Sequence, residues 1–273
     1  STRRKSLHAF IINDKYDEDW EALSVDEKHA REREFLEIYQ LITGNEIKTI
    51  HFQEINFTHS DKYAFFLFKN RIIKRTKTYG YSFNLLNLLT ASGVIQEYEL
   101  PLNKNLFSSK LPSNIDQEYI SIGVRFSKFG KNRNTDSQTL YSMVKLIKNK
   151  YKFNIMIISD NAGCLHAKKI LHSEKNVFYS SDFSQKFLND AAILLNSQHF
   201  FQYSGGGLST IALFSDIPYL ISQACAHEVI YRRTRKKFLR LSLDSQIFVE
   251  QISPSNQLNT FLLTSLLLWR LLK

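Results

Sequence analysis

Cysteine, proline and glycine are all scarce in this chain. Its 273 residues include 2 Cys, 4 Pro and 9 Gly, and Cys164 and Cys225 do not form a C-x-x-C pair. This usage excludes a small fold held together by disulfides and suits a reducing compartment. We therefore expect a cytoplasmic protein, with the inner face of the membrane as an alternative location.

Long apolar runs are also missing. No stretch reaches the length of about 20 apolar residues that a spanning helix needs, and residues 1–20 show no cleavable signal pattern. The nearest candidate is Leu258–Leu272, whose apolar side chains recur at helical spacing and which ends in basic residues. We expect a helix docked on the core there, with a membrane-surface helix as the alternative.

Hydrophobic residues and positive charge are both plentiful. The composition is 43% hydrophobic and 23% charged, which is enough for a real core. The chain has 36 Lys+Arg against 26 Asp+Glu, a net charge of +10. Such a surplus favours an anionic partner, whether a nucleotide, a nucleic acid or an acidic membrane, although it could also serve only solubility.

After residue 118, short apolar runs alternate with amphipathic helical patterns. This alternation predicts an α/β fold in which a Rossmann-like parallel sheet is flanked by helices. The predicted strands are Tyr119–Phe126, Phe153–Ser159, Val177–Tyr179, His199–Tyr203 and Pro218–Ser222. The predicted helices are Ser137–Lys148, Cys164–Leu171, Phe187–Leu195 and Ser209–Phe214.

The rest of the chain divides by composition. We expect a smaller amino-terminal α/β part at 1–100, a linker at 101–118, a Rossmann-like domain at 119–250 and a carboxyl-terminal apolar helix at 251–273. Within the first part, the patterns predict an amphipathic helix in 14–42, strands at Lys48–Phe52 and Tyr63–Phe68, and a helix at Phe83–Leu89.

The strongest candidate for ligand binding is a glycine-rich turn after the fourth predicted strand. Its three consecutive glycines let the backbone approach a ligand closely, and the amide groups that open the next helix attract a phosphate. A plain tight turn with a serine cap is the alternative. The residues are Ser204, Gly205, Gly206, Gly207, Ser209 and Thr210.

A second candidate is Arg125, which stands at the end of the first strand of this series. An arginine fork at a strand tip matches phosphate oxygens bidentately. The following loop carries further polar and basic residues, and its alternative role is a solvated surface loop. The residues concerned are Lys128, Arg133 and Asn134, together with Lys131.

Two more strand ends are polar. Asp160 and Asn161 follow the second strand and could accept hydrogen bonds from a ribose or a base, and Ser180–Asp182 follow the third. Both groups could equally be helix N-caps. Ligands of open parallel sheets bind beyond the carboxyl ends of the strands, where all four of these polar segments are expected to lie.

These motifs, in order, resemble the carboxyl-terminal half of GT-B glycosyltransferases, most of all bacterial surface-polysaccharide and fucosyltransferase-like members. The resemblance covers about residues 118–222 and includes IISD (Ile157–Asp160), DAAILL (Asp190–Leu195) and YSGGGLSTIALFSDIPYL from Tyr203. It implies a GT-B-like fold in which Arg125 and Ser204–Ser209 bind the donor diphosphate, with Asp190–Leu194 as the D-x-x-x-L of the helix before the loop. It further implies a hexosyl- or deoxyhexosyltransferase acting on a glycan or lipid-linked acceptor, with a nucleotide-sugar as substrate and no cofactor.

Other chemistry has weaker support. Asp17-Glu18-Asp19 forms a D-x-D that could bind a metal ion or merely favour a helix start, and the histidines form no zinc set, so we expect a metal-independent enzyme. The pool for a general base is His51, Glu54, His59 and Asp61. Two basic clusters, within 69–77 and 232–240, keep open the alternative of a nucleic-acid-binding or DNA-modifying protein.

Overall fold

The computed structural model divides the chain into two compact units, Ser1–Leu100 and Pro101–Lys273. The structure describes residues 7–13, 24–27, 29–30, 33–34, 37, 47–54, 61–68, 71–79, 107–113, 115, 118–126, 134–151, 153–203, 207–213, 215–224 and 244–251. The predicted helices at Phe83–Leu89 and in 251–273 lie outside these residues, apart from Gln251, which ends a strand.

The amino-terminal unit contains a mixed four-stranded sheet in the order β2-β1-β3-β4. β1 pairs parallel with β2 and antiparallel with β3, which pairs antiparallel with β4. The strands are β1 (Leu7–Asn13), β2 (Ile47–Glu54), β3 (Asp61–Phe68) and β4 (Arg71–Tyr79). The two strands predicted here are confirmed as β2 and β3, whereas β1 and β4 were not expected.

A helix start lies before β2. The Ser24 backbone N–H donates to Glu27 Oε2 at 2.7 Å, and the Glu27 N–H donates back to Ser24 Oγ at 3.3 Å. This reciprocal pair is a capping box, and it satisfies amide groups that a helix start leaves without partners. Ser24 itself is not helical. The helix predicted within 14–42 therefore has a start at this residue.

The second unit contains a six-stranded sheet in the order β10-β9-β8-β5-β6-β7, with every pairing parallel. The strands are β5 (Tyr119–Gly123), β6 (Asn154–Ile158), β7 (Val177–Tyr179), β8 (Phe200–Tyr203), β9 (Tyr219–Ala224) and β10 (Gln246–Gln251). Counted from β5, this is the 3-2-1-4-5-6 order of dinucleotide-binding folds. The predicted Rossmann-like parallel sheet is confirmed. It has one further strand, β10, which the sequence pattern did not predict.

Four helices connect the strands of this sheet within the described residues: α1 (Ser137–Tyr151), α2 (Asn161–Ile170), α3 (Phe187–Leu195) and α4 (Gly207–Leu213). Each matches a predicted helix to within three residues at either end. Asp136 precedes α1 and caps its first turn, because Asp136 Oδ2 accepts the Thr139 backbone N–H at 2.8 Å.

The two faces of the sheet are covered by different helices. On one face, α1 and α2 pack on a fully apolar cluster that includes Ile122, Val144 and Ile157. Burying each such side chain contributes about 1.5–3 kcal/mol. On the other face, Tyr119 Oη donates to the Ile193 carbonyl of α3 at 2.7 Å, and α3 packs against α4. Phe107, from the segment expected to be a linker, is also fully buried.

Candidate functional site

The candidate site lies at the carboxyl ends of β5 and β8. These strands are neighbours in the sheet, yet the chain leaves β5 toward β6 on one side and β8 toward β9 on the other. In open parallel sheets, such a switch point opens a crevice beyond the strand ends, where ligands bind. The residues that follow β5 and β8 are Arg125 and the glycine-rich turn, the two strongest candidates from the sequence.

Arg125 lies two residues beyond the end of β5, and the strand is shorter than predicted. Its backbone N–H donates to Thr135 Oγ1 at 3.0 Å, and its carbonyl accepts the Thr135 N–H at 2.8 Å. Thr135 is buried, and its hydroxyl also reaches the Tyr203 carbonyl of β8 at 3.4 Å. A single threonine therefore ties the half-buried Arg125 to the end of the neighbouring strand.

The first turn of α4 is tied to β8 by a buried side-chain pair. Ser209 Oγ donates to Gln202 Oε1 at 2.6 Å, and both residues are buried. Gln202 pairs with Gly123 across the β5–β8 boundary. A Cβ at Gly123 would lie 3.1 Å from Gln202 Cγ and Cδ and from Phe200 Cζ, so glycine makes room here for the glutamine side chain.

The structure describes some of the remaining predicted residues around this crevice and leaves others outside the described ranges. Asn134 is described and half-buried, just before Thr135. Gly207 is the first residue of α4 and Thr210 lies within it; the helix has 7 residues. Lys128, Arg133, Ser204, Gly205 and Gly206 lie outside the described residues, and their donor contacts stay predictions.

Asp160 and Asn161 stand at the start of α2. Asp160 is its N-cap, with Oδ1 accepting the Gly163 N–H at 2.8 Å, and both Asp160 and Asn161 are exposed. The cap was one of the two roles left open by the sequence, and the structure shows it. Contact of either residue with a ligand stays a prediction.

The third polar strand end is a buried structural network. Ser180 is fully buried and donates to the Ser159 carbonyl at 3.3 Å, while Ser159 Oγ donates to the Val124 carbonyl at 2.7 Å. Cys164 Sγ also donates to the Ser159 carbonyl at 3.4 Å. Ser180 therefore holds strand ends together, which is a structural role for this residue.

An aromatic pair, which the sequence did not reveal, lies beside Arg125. The rings of Phe126 and His166 stack with centroids 4.0 Å apart and planes 15° from parallel. Phe126 is 39% exposed. Partial burial, and then the nearby charge of Lys169, lower the pKa of His166 below its usual range. The imidazole is therefore neutral at pH 7. Neither residue belongs to a recognisable sequence motif. They meet because α2 places His166 beside the residue that follows Arg125.

The candidates for a general base fall on the amino-terminal unit. Glu54 ends β2 beside Asn13 of β1, and Asp61 begins β3, which runs antiparallel to β1. The backbone thus places Glu54 and Asp61 at the same end of that sheet, where β1 and β2 end and β3 begins. His51 lies within β2, and His59 lies outside the described residues.

The described residues bear on two further questions, metal binding and membrane spanning. No group of three or more His, Cys, Asp or Glu side chains there could hold a metal ion. Within the same part of the chain, no helix has the length and apolar character needed to cross a membrane. Asp17–Asp19 and Leu258–Leu272 lie outside it.

Comparison with protein-family models gives no match, and comparison with curated proteins gives none. Among solved structures, the chain is similar to E. coli heptosyltransferase WaaC with ADP-2-deoxy-2-fluoro heptose, at 11% identity and a TM-score of 0.45, over 64% of this chain and 52% of that one. It is similar to E. coli ADP-heptose LPS heptosyltransferase II at 11% identity and a TM-score of 0.42, over 66% of this chain and 62% of that one.

The chain therefore spans between about half and three-fifths of the length of these proteins. Heptosyltransferases are glycosyltransferases, the class that the sequence motifs resemble. A likeness at 11% identity concerns the backbone arrangement. It does not carry over an activity, a substrate or a partner.

Proposed function

We propose that this chain is a glycosyltransferase that moves a sugar from a nucleotide-sugar donor to a hydroxyl group of a glycan or lipid-linked acceptor. The observation that carries the proposal is that Arg125 and the first turn of α4, which contains Ser209, follow the carboxyl ends of the neighbouring strands β5 and β8 at the switch point of the sheet. The sequence resemblance to GT-B glycosyltransferases also supports it.

The chemistry requires positive charge at this point. As the acceptor oxygen bonds to the anomeric carbon, the bond from that carbon to the donor phosphate breaks, and negative charge develops on the nucleoside diphosphate that leaves. A fixed cation stabilises this charge in the transition state more than in the ground state, which lowers the barrier. Arg125 supplies that charge, and its guanidinium can hold two phosphate oxygens at once.

The local backbone holds Arg125 ready for this role. Val124 belongs to the cluster under α1 and α2, and Phe126 stacks on His166 of α2. Since side chains alternate in an extended chain, Arg125 leaves on the opposite side, where Gln202 and Ser209 lie. The two hydrogen bonds to Thr135 limit its backbone motion.

We further propose that the reaction is metal-independent and that a side chain of this protein acts as the general base. Arg125 takes the part that a divalent ion plays in D-x-D transferases. Glu54 and Asp61 remain candidates for the base, and the backbone places both at the same end of the four-stranded sheet. The proton of the acceptor hydroxyl would pass to that carboxylate.

The nucleic-acid alternative gains little from the structure. The basic residues of 71–79 belong to β4, an edge strand of the amino-terminal sheet. Charged residues on edge strands keep sheets from pairing edge to edge, so the cluster has a structural explanation. A duplex-binding protein would lose affinity steeply between 50 and about 200 mM salt.

The proposed function is tested by a thermal-shift screen followed by a turnover assay. Nucleoside diphosphates and nucleotide-sugars should raise the melting temperature, since a ligand of the folded state stabilises it. The nucleotide-sugar giving the largest shift should release its nucleoside diphosphate when glycan or lipid-linked acceptors are added. If no member of either panel shifts the melting temperature, the proposed function is wrong.

A further inference from the structure

We propose that the stacked pair of Phe126 and His166 is a platform on which the base of the nucleotide stacks. The proposal rests on the proposed function, because it assumes that a nucleoside diphosphate occupies the crevice next to Arg125. It goes further by assigning a subsite to two residues that carry no recognisable motif.

The first support is the geometry of the pair. The two rings are nearly parallel, 15° apart, and are stacked face to face with their centroids 4.0 Å apart, so His166 covers one face of Phe126 and supports the ring from behind. Phe126 keeps 39% of its area exposed, although it lies beside a well-packed core. An exposed phenylalanine at the rim of a ligand crevice offers a flat apolar face, and bases of any kind stack on such faces.

The second support is the position of the pair relative to Arg125. Phe126 follows Arg125 directly and lies on the α2 side of the β5 tip, as its contact with His166 shows. A nucleoside diphosphate lying across this tip would put its phosphates near Arg125 and its base over Phe126. Its ribose would then pass near Asp160 and Asn161, the exposed start of α2.

The electrostatics of the pair agree with this use. Partial burial holds the pKa of His166 below its ordinary value, and Lys169 on the same helix lowers it further. Two other charged residues belong to this helix. Asp160 is the N-cap of α2, and Lys168 of α2 forms an ion pair with Asp182. At pH 7 the imidazole is neutral, so the platform is an uncharged aromatic surface.

The test compares ligands with and without a base. ADP, UDP and GDP are titrated calorimetrically into the full chain beside inorganic pyrophosphate and ribose 5-phosphate. Phe126→Leu and His166→Leu should weaken the best nucleoside diphosphate by roughly tenfold, as expected for the loss of one stacking contact, and leave pyrophosphate unchanged. Phe178→Leu is the matched control, since Phe178 is also 39% exposed but lies on the edge strand β7.

The outcomes separate this proposal from the proposed function. If nucleoside diphosphates bind and Arg125→Ala weakens them, but Phe126→Leu and His166→Leu do not, the platform is wrong and the phosphate site stands. If pyrophosphate loses as much affinity as the nucleotides in these variants, the pair is structural and the platform is also wrong. If neither nucleotides nor pyrophosphate bind the wild-type chain, both proposals fail.

A spectroscopic readout covers the case in which a leucine variant is poorly folded. In the wild-type chain, the ring protons of Phe126 should shift in the proton NMR spectrum when the nucleoside diphosphate is added, because a stacked base imposes its ring current on them. Pyrophosphate should leave them in place. Equal shifts with both ligands would overturn the platform.

Discussion

Ser209 on the first turn of α4 donates a 2.6 Å hydrogen bond to Gln202 on β8, and Gln202 lies against Gly123 of β5. This contact joins the helix behind the glycine-rich turn to the strand that precedes Arg125. The elements proposed to bind phosphate on either side of the switch point are thus held in one register by a buried amide.

Gly123→Ala tests this connection. The added methyl group would lie 3.1 Å from Gln202 Cγ and Cδ, which is tighter than ordinary packing, so the glutamine must move and its bond to Ser209 weaken. We expect the affinity for a nucleoside diphosphate to fall, with a loss of stability of about 1–3 kcal/mol from overpacking. Calorimetric titration and urea unfolding measure the two effects.

Gln202→Ala serves as the second arm of a double-mutant cycle with Gly123→Ala. Because the two residues are in contact, their effects on stability should not add, and the interaction energy should reach roughly 0.5–3 kcal/mol. Simple additivity would show that the methyl group acts on something other than Gln202.

Gly163→Ala is expected to destabilise the second unit. A Cβ at this position would meet Ser159 Oγ at 1.9 Å and Ser159 Cβ at 2.8 Å, in a network of buried hydrogen bonds. Unfolding in urea should show a loss of about 1–3 kcal/mol. Adding Ser159→Gly removes both clashing atoms, so the double variant should recover part of the loss. A Gly163→Ala protein as stable as wild type would contradict this packing.

The carboxyl-terminal half of α1 and the turn after α2 are joined by a buried carboxylate. Glu174 has a side chain 4% exposed and lies 2.7 Å from Lys145 Nζ and 2.8 Å from Lys148 Nζ. Hydrogen bonds from Lys145 and then Lys148 hold its pKa below the usual range. A depressed folded-state pKa stabilises the protein above the unfolded-state value of about 4.3, and the effect is lost as the pH falls through the folded-state pKa.

Glu174→Gln should therefore unfold more easily than wild type at pH 7, and the difference should shrink in acid. Urea unfolding at pH 7 and at about pH 3 measures it. Glu118→Gln, which changes an exposed carboxylate at the start of β5, is the control. A difference between Glu174→Gln and wild type that stays constant with pH would contradict the ion pairs.

Sugar transfer should not depend on a divalent ion. We expect that turnover of the best nucleotide-sugar stays within about twofold of its initial rate after EDTA treatment, because a fixed arginine stabilises the leaving diphosphate. Loss of activity in EDTA that Mg²⁺ or Mn²⁺ restores would direct attention to Asp17–Asp19 and contradict the metal-independent mechanism.

Much of the second unit follows from local sequence patterns. Buried parallel strands read as short apolar runs, so β5, β6 and β8 were recognisable, and Arg125 could be placed near a strand end. β10 was missed because QIFVEQ is short and has polar residues at both ends. β4 was missed because its many cations hide the alternation of an edge strand.

The site depended on contacts that no local pattern encodes. Thr135 acts through hydrogen bonds to residues 10 and 68 positions away in the chain, and Gln202 matters because β8 lies beside β5. The strand order that brings these residues together is a property of the whole sheet. For the same reason, the sequence alone could not distinguish the capping role of Asp160 or the burial of Ser180 from contact with a ligand.

Arg125→Ala tests the central claim most directly. Losing a charge-assisted hydrogen bond costs about 1.5–3 kcal/mol, so this variant should bind a nucleoside diphosphate roughly tenfold to a hundredfold more weakly by calorimetry. Arg33→Ala, which removes an exposed arginine from the amino-terminal unit, should bind like wild type. Circular dichroism should show both variants folded. If Arg125→Ala and Arg33→Ala bind the nucleotide equally well, the switch point between β5 and β8 is not the phosphate site.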